Sequence, residues 1–242
     1  MYLIFLEVIK VENIKLGNIK KIYDIILIMK LLEVKKELDC IKRTKFGISV
    51  PELRKFAKYI AKDNYRDFIE NNDYSSFELK LLHAFVIGYI KDDINVLLKY
   101  FKDFIPYVDD WGINDSLCQN FKIVRKYQDI VWNFLMQYKN SKKEFESRIV
   151  SVTLLSHYLN DEYIDRVIEV LNLLNTDDYY SQMGVAWAIA TVMGKYPEVC
   201  MKYLKSKNCK LDKITYNKSL QKIRESLRIS DEIKRLTNAM KK

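Results

Sequence analysis

Strongly apolar helical segments recur along this sequence at a nearly constant interval. They begin near residues 77, 112, 146 and 183, at spacings of 35, 34 and 37 residues, and a more amphipathic segment follows each of them. An interval of this length is typical of stacked helix pairs, in which each pair buries its apolar face against the next. The alternative interpretation of the same pattern is an irregular helical bundle.

The sequence contains few of the residues that make tight turns. Only 6 glycines and 3 prolines occur in 242 residues, whereas strand-rich folds need many turns. The connectors are short, and no Pro/Gly/Ser-rich linker divides the chain. We therefore predict an all-α fold, an α-α superhelix of helical repeats with a concave face, as a single domain over residues 1–242. Residues 1–16 are an N-terminal extension whose place in that domain the sequence leaves open.

The excess positive charge is concentrated at the C-terminal end. The formal net charge is +9, and residues 201–242 hold 13 Lys and Arg against 4 Asp and Glu. Residues 1–200 are balanced, with 28 charges of each sign. A localised basic segment indicates a polyanionic partner, with nucleic acid ahead of a membrane or an acidic protein. The alternative is a solubilising tail.

The cysteines and histidines argue against metal chemistry. The cysteines form no CxxC pair and have no histidine close by: Cys40, Cys118, Cys200 and Cys209. His83 and His157 are the two histidines of the chain, which disfavours a His-based metal site or a Ser-His-Asp triad. We predict no metal, no cofactor, and buried thiols in a reducing compartment.

The N-terminal segment is apolar but does not have the pattern of a targeting signal. It carries Glu7, Lys10 and Glu12, and it lacks a basic start and a small-residue cleavage site. The chain has no run of about 18 uncharged apolar residues, the length that a transmembrane helix needs. We therefore predict a cytoplasmic protein that does not contact a membrane.

Reactive and aromatic residues recur at about one repeat length. Trp111, Arg148 and Trp187 are separated by 37 and 39 residues, so they are expected on the same side of a helix-pair stack. Asp115 follows Trp111 by four residues, which places both on one helix face. The alternative is ordinary packing, with both tryptophans in the core and Asp115 solvated or hydrogen-bonded. Trp132, among bulky apolar neighbours, is predicted to be core.

Arg148 borders an apolar helix face, because Phe145 precedes it by three residues and Val152 follows it by four. A guanidinium group in that position either pairs with a carboxylate such as Asp115 or lies in an anion-binding groove. The sequence leaves these two arrangements open.

The C-terminal segment NKSLQKIRESLRIS predicts a helix with a basic outer stripe and with Ile223 and Leu227 facing the core. The basic residues form two pairs at one-turn spacing: Lys218 with Lys222, and Arg224 with Arg228. Such a stripe suits contacts with phosphates, which fix position without reading base sequence. The alternative is a solvated helix face.

Five stretches of the sequence form a recognisable ordered set: FGISVPELRKFAK at 46–58, VDDWGINDSLC at 108–118, the helix of Arg148, YYSQMGVAWAIATVMGKYPE at 179–198, and NKSLQKIRES at 217–226. With this set the chain resembles the DNA alkylation repair family of HEAT-like-repeat glycosylases, the AlkD-type proteins. The resemblance implies a monomer that binds duplex DNA containing alkylated bases and excises cationic N3- and N7-alkylated purines.

The resemblance also implies roles for single residues. Trp111 and Trp187 match the aromatic residues that contact the deoxyribose of the lesion, Asp115 matches the catalytic carboxylate, and Arg148 matches an arginine on the DNA backbone. Met183 and Ala190 stand where better-known members carry basic residues, so fewer phosphate contacts are expected there. Two other functions stay open: a non-catalytic helical-repeat protein that binds damaged or branched DNA, and a protein-binding scaffold.

Overall fold

The computed structural model describes residues 48–63, 65–71 and 73–240, and across these residues the fold is helical with no strand. Residues 1–16, which the sequence sets apart as an extension, lie outside the described residues. None of the described helices combines the length and the apolar character that crossing a membrane requires. The described α-helices are α1 (Val50–Ile60), α2 (Tyr65–Glu70), α3 (Phe77–Tyr89), α4 (Ile94–Phe104), α5 (Trp111–Asn120), α6 (Gln128–Met136), α7 (Glu144–His157), α8 (Ile164–Leu171), α9 (Tyr179–Lys195), α10 (Pro197–Lys205), α11 (Lys213–Glu225) and α12 (Asp231–Asn238). Two short 3-10 helices join them, at Ile105–Tyr107 and Lys122–Lys126.

The odd-numbered helices form an inner layer. Each packs against the next in chain order, from α1 against α3 to α9 against α11, and the even-numbered helices pack mainly on their neighbours in the chain. The inner helices α3, α7 and α9 are buried on nearly all sides, whereas α4 and α8 bury one face. This arrangement is the predicted all-α superhelix of helical repeats.

The repeat interval is confirmed. The inner helices α3, α5, α7, α9 and α11 begin at residues 77, 111, 144, 179 and 213, at spacings of 34, 33, 35 and 34 residues. Neighbouring inner helices run in the same direction, because early residues contact early residues and late residues contact late ones. The layer therefore has an amino edge, formed by the first two turns of these five helices, and a carboxyl edge, formed by their last turns and the residues that follow.

Two predicted helices end earlier in the structure than the apolar pattern suggests. The apolar spacing of the sequence predicts a helix over 110–125, but the helix stops at Asn120, because Phe121 leaves the helical region with φ −74° and ψ 57°. The same spacing predicts a helix over 213–227, but that helix stops at Glu225, because Ser226 is extended with φ −72° and ψ 128°. Leu227 is consequently 98% exposed, so the prediction that it faces the core is wrong.

Trp132 on α6 belongs to the core, as predicted. Its ring is 4% exposed and packs against Tyr158 and Tyr163, with ring centroids 5.3 Å and 5.2 Å away. Edge-on and tilted aromatic pairs of this kind contribute about 0.5–1.5 kcal/mol each beyond the buried area. The contacts hold α6 against the end of α7 and thereby fix the outer side of the carboxyl edge.

Candidate functional site

Asp115 and Arg148 form a buried ion pair between α5 and α7. Nε of Arg148 donates to Oδ1 of Asp115 at 3.0 Å, and Nη2 donates to Oδ2 at 2.8 Å. Asp115 is 8% exposed and Arg148 is 5% exposed. A two-point contact between a planar guanidinium and a carboxylate fixes the orientation of both groups. Of the two arrangements that the sequence leaves open for Arg148, the structure shows the pair with a carboxylate.

Arg148 also contacts the next inner helix. Its Nη1 donates to the backbone carbonyl of Tyr180 at 2.9 Å, and the backbone N–H of Tyr180 donates to Oε1 of Glu144 at 2.6 Å. Each of the three guanidinium nitrogens therefore has an acceptor, and the side chain connects α5, α7 and α9. The contact between Arg148 and a DNA phosphate stays a prediction.

Asn114 supports the carboxylate from within α5, and the sequence does not single it out. Its Nδ2 donates to Oδ1 of Asp115 at 3.2 Å, and the residue is fully buried. Its Oδ1 has no hydrogen-bond partner within the described ranges. A buried side-chain amide normally forms hydrogen bonds with both its oxygen and its nitrogen. Burying Asn114 with an unpaired oxygen therefore costs free energy. The sequence signal that could have identified Asn114 is an amide next to Asp115 in a helical segment where Ile113 and Leu117 are apolar.

Gly184 on α9 allows the close approach on which the ion pair depends. A Cβ atom at this position would lie 2.5 Å from Oγ of Ser151 and 3.2 Å from Cγ of Arg148. A larger residue would therefore push the stem of Arg148 away from its place between α7 and α9.

Trp111 is exposed at the amino edge. It is the first residue of α5 and is 53% exposed, so the interpretation of Trp111 as a core residue is wrong. The helix start is fixed by Asp110, whose side chain accepts a hydrogen bond from the backbone N–H of Gly112 at 2.6 Å. Trp111 thus presents an indole ring to solvent one helical turn before Asp115.

Trp187 lines a groove of about 1140 Å³ at the carboxyl edge. The ring is half-buried, and its neighbours in the groove include Leu155 on α7 and Thr191 on α9. The groove lies between the ends of α7, α9 and α11, so three repeats contribute to one surface.

The three predicted catalytic residues, Trp111, Asp115 and Trp187, and the predicted DNA-backbone residue Arg148 are brought together only in part. Asp115 and Arg148 are in direct contact, and Trp111 shares a helix face with Asp115. None of these three is among the residues that line the groove of Trp187. Gly184, which contacts Arg148 and lies one turn before Trp187 on α9, is a structural link between the two places.

Cationic side chains outnumber carboxylates in the lining of the groove. Lys222 and Arg228, which the sequence predicts, line it together with Arg125 and Lys195, which it does not. Glu225 is the acidic residue in the lining. No ion pair joins any of the four cations to a carboxylate in the part of the chain that the structure describes. The groove therefore has unpaired positive charge to offer an anionic ligand.

The other two predicted basic residues, Lys218 and Arg224, are not among the groove residues. Nζ of Lys218 donates to Oε1 of Gln221 at 3.3 Å, and Nη1 of Arg224 is buried without a hydrogen-bond partner among the described residues. Because α11 ends at Glu225, Arg224 and Arg228 do not lie one turn apart on one helix, which corrects that part of the prediction. DNA contacts by Lys218 and Arg224 stay predictions.

His157 connects the groove to α5. Its ring lines the groove, and Nε2 donates to the backbone carbonyl of Cys118 at 2.8 Å. Burial lowers the pKa of His157 below its usual value, and the positive charges of Arg125 and Lys122 lower it further. The imidazole is therefore held in its neutral form, and the positive charge of the groove comes from lysine and arginine.

The structure defines a class of protein: a superhelix of helical repeats with a buried carboxylate–guanidinium pair on its inner helices and a cationic groove at one edge. In the described part of the chain, no cluster of His, Cys, Asp or Glu side chains could hold a metal ion. The family model described as DNA alkylation repair enzyme matches residues 29–223. The chain therefore belongs to the DNA alkylation repair enzyme family, which supports a role in the repair of alkylated DNA. No curated protein and no solved structure matches the chain significantly.

Proposed function

We propose that this protein is a DNA glycosylase that hydrolyses the N-glycosidic bond of cationic N3- and N7-alkylated purines in duplex DNA. The observation that carries this proposal is the position of the Asp115 carboxylate. Arg148 holds it in one orientation, on a helix face that Asp115 shares with Trp111, the first residue of α5. A negative charge fixed in advance stabilises a transition state in which positive charge develops on a sugar.

The chemistry needs little from the protein beyond this charge. Alkylation at N3 or N7 makes the purine cationic, so the electron pair of the breaking bond neutralises the ring and the base leaves without a general acid. The sugar takes on oxocarbenium character, a water oxygen bonds to C1′, and the water releases a proton to solvent. Asp115 stabilises the positive sugar and orients that water.

The remaining residues bind the substrate. The indole face of Trp111, on the same helix as Asp115, attracts a positively polarised sugar, as aromatic rings attract cations. Trp187 offers a second indole face from the groove. Lys222 and Arg228 contact phosphates from the carboxyl edge, and these contacts fix the position of the duplex without reading its sequence. The exposure of Trp111 and the cationic lining around Trp187 support these roles.

The test is release of 3-methyladenine and 7-methylguanine from methylated duplex DNA. We expect release by the wild type and a fall of about 10²–10³-fold with Asp115→Asn, the range seen when one preorganised electrostatic group is removed. The matched control is Asp103→Asn, an exposed aspartate on α4 that pairs with Lys99 and should leave release unchanged. Circular dichroism establishes that each variant is folded. Wild-type release no faster than spontaneous loss of the base would refute the proposal.

A second function is favoured by one observation. Both carboxylate oxygens of Asp115 accept hydrogen bonds from Arg148, and one accepts a third from Asn114, so the carboxylate also fits a purely structural ion pair. This alternative is a non-catalytic protein that binds damaged or branched DNA. It predicts salt-sensitive DNA binding that Lys222→Ala weakens, without release of any base.

A further inference from the structure

The two oxygens of the Asp115 carboxylate have different surroundings. Arg148 uses one acceptor site on each of them, through Nε to Oδ1 at 3.0 Å and through Nη2 to Oδ2 at 2.8 Å. Nδ2 of Asn114 also donates to Oδ1, at 3.2 Å. An ionised carboxylate offers about two acceptor sites on each oxygen. Among the described residues the sites of Oδ1 are therefore both used, whereas Oδ2 keeps one site open.

The amide of Asn114 is held in one orientation. The side chain is fully buried, and its Nδ2 also lies 3.9 Å from Sγ of Cys118, where it makes a weak hydrogen bond to sulfur. The Cys118 thiol donates to the backbone carbonyl of Ile149 on α7 at 3.6 Å, and burial raises the pKa of this thiol to about 12, so it keeps its proton. A reversed amide would place its oxygen against the Asp115 carboxylate, and the two acceptors would repel each other.

The burial of Asn114 is not explained by packing. Its Oδ1 has no hydrogen-bond partner among the described residues. Leucine has nearly the same shape and would fill this place without burying an unpaired polar atom. The group that asparagine provides and leucine lacks is the N–H donor to Oδ1 of Asp115. The use of Asn114 must therefore be sought at this carboxylate.

We propose that Asn114 is a positioning residue that blocks Oδ1 of Asp115 and leaves Oδ2 as the oxygen that orients the attacking water. A single open acceptor site holds the water in one place, whereas two open sites would hold it in two, and a small error in the position of a reacting atom slows a reaction strongly. The side chain of Asp115 is 11% exposed, so only a small part of it is open to water. The inference rests on the proposed function, because it concerns the same carboxylate and the same reaction.

Asn114 changes the position of the water and not the reaction itself. The water donates a hydrogen bond to Oδ2 of Asp115, and its oxygen bonds to C1′ as the bond between C1′ and the purine nitrogen breaks. The electron pair of the broken bond neutralises the cationic purine, and the water releases a proton to solvent. Because Asn114 is fully buried, it contacts neither the water nor the sugar and acts only through Asp115.

The experiment measures kcat and KM for release of 7-methylguanine from methylated duplex DNA by the full-length protein. We expect Asn114→Leu to lower kcat by about 10–100-fold, the range for loss of one hydrogen bond to a charged group. KM should stay unchanged, because the buried residue does not contact DNA. The midpoint of urea denaturation should equal or exceed that of the wild type, because leucine removes the unpaired oxygen together with the donor. Asn114→Ala, which adds no volume to the core, should lower kcat to the same extent.

Asn120→Leu is the matched control, because Asn120 is also a buried amide on α5. Its Nδ2 donates to the backbone carbonyl of Ser116 at 2.6 Å and its Oδ1 accepts from Arg54 at 2.7 Å, so it has no hydrogen bond to Asp115. This variant should lower the urea midpoint and keep the wild-type kcat. Wild-type kcat in both Asn114 variants would overturn the inference and leave the proposed function standing. Wild-type protein that releases no base above the spontaneous rate would overturn both.

Discussion

The two edges of the inner helix layer differ in whether their charged side chains form ion pairs. At the amino edge two pairs of opposite charges are formed within the protein: Asp115 binds Arg148, and Lys80 binds Asp109 at 2.5 Å. At the carboxyl edge Arg125, Lys195, Lys222 and Arg228 surround a groove and form no ion pair among the described residues. The same helices thus supply internal cross-links at one end and unpaired cations at the other.

This difference separates stability from binding. A buried ion pair has already lost its water, so removal of one partner leaves an uncompensated charge in the interior. A solvated cation in a groove costs little to remove, but it determines how strongly an anion is attracted. Changes at the amino edge should therefore alter the free energy of unfolding, and changes at the carboxyl edge should alter DNA affinity.

The largest expected effect comes from breaking the ion pair with Arg148→Met. We expect the free energy of unfolding to fall by about 3–5 kcal/mol, because the Asp115 carboxylate stays buried without its partner. Urea denaturation measures the change. The control is Arg66→Met, whose exposed pair with Asp92 should contribute far less than the buried pair does. Adding Asp115→Leu to Arg148→Met should recover much of the loss, and equal losses for the single and double variants would contradict this account.

The next effect comes from filling the space at Gly184. Gly184→Ala should destabilise the protein by about 1–3 kcal/mol, because its Cβ would meet Oγ of Ser151 at 2.5 Å. Gly194→Ala is a matched control on the same helix. Its Cβ would meet its nearest neighbour at 3.8 Å, so the higher helix propensity of alanine should leave stability equal or raised. Removal of the clashing hydroxyl with Ser151→Ala should restore part of the stability of Gly184→Ala. Equal destabilisation at Gly184 and Gly194 would show that the close approach has no energetic role.

A pH titration tests the carboxyl edge through His157. Burial, with help from Arg125 and Lys122, lowers the pKa of His157 in the folded state. As the pH falls below about 6.5, the usual histidine value, the unfolded chain takes up a proton that the folded chain does not, so stability falls. The limiting slope for one such group is about 1.4 kcal/mol per pH unit. Denaturation at pH 7 and pH 5.5 should show a smaller loss for His157→Gln than for the wild type. Equal losses of stability in the wild type and in His157→Gln would show that other groups cause the acid sensitivity.

The smallest effect concerns salt. Lys222→Ala should reduce the slope of log K against log salt for duplex binding by about 1, because one phosphate contact is lost. Its free energy of unfolding should stay within about 0.5 kcal/mol of the wild type, as for most surface substitutions. Lys99→Ala, on α4 and outside the groove, should keep the wild-type slope. Equal salt slopes for both variants would show that the groove is not part of the DNA interface.

The sequence predicted those features that depend on local periodicity. The repeat interval and the burial of Trp132 follow from apolar residues at helical spacing, and both are confirmed. The exposure of Leu227 could not be predicted in this way. It depends on the extended backbone of Ser226 and on the packing of Ile229 over α9. The spacing of apolar residues along the helix indicates neither of them.

The site was predictable only where it could be recognised from residue types. Asp115 and Arg148 stand out in the sequence, but the choice between an ion pair and an anion site depended on the register of α5 against α7. The groove combines four separate parts of the chain. A charge count along the sequence finds Lys222 and Arg228 in the basic C-terminal segment, and it overlooks Arg125 and Lys195, which lie where the total charge is balanced.

The shared direction of the inner helices has an electrostatic consequence for the groove. A helix carries a macrodipole with about half a negative elementary charge at its carbonyl end, so α7, α9 and α11 together place about −1.5 beneath the groove. Its four cations and one carboxylate carry a formal charge of +3. The attraction that the groove exerts on an anion is therefore weaker than the formal charge of its side chains suggests.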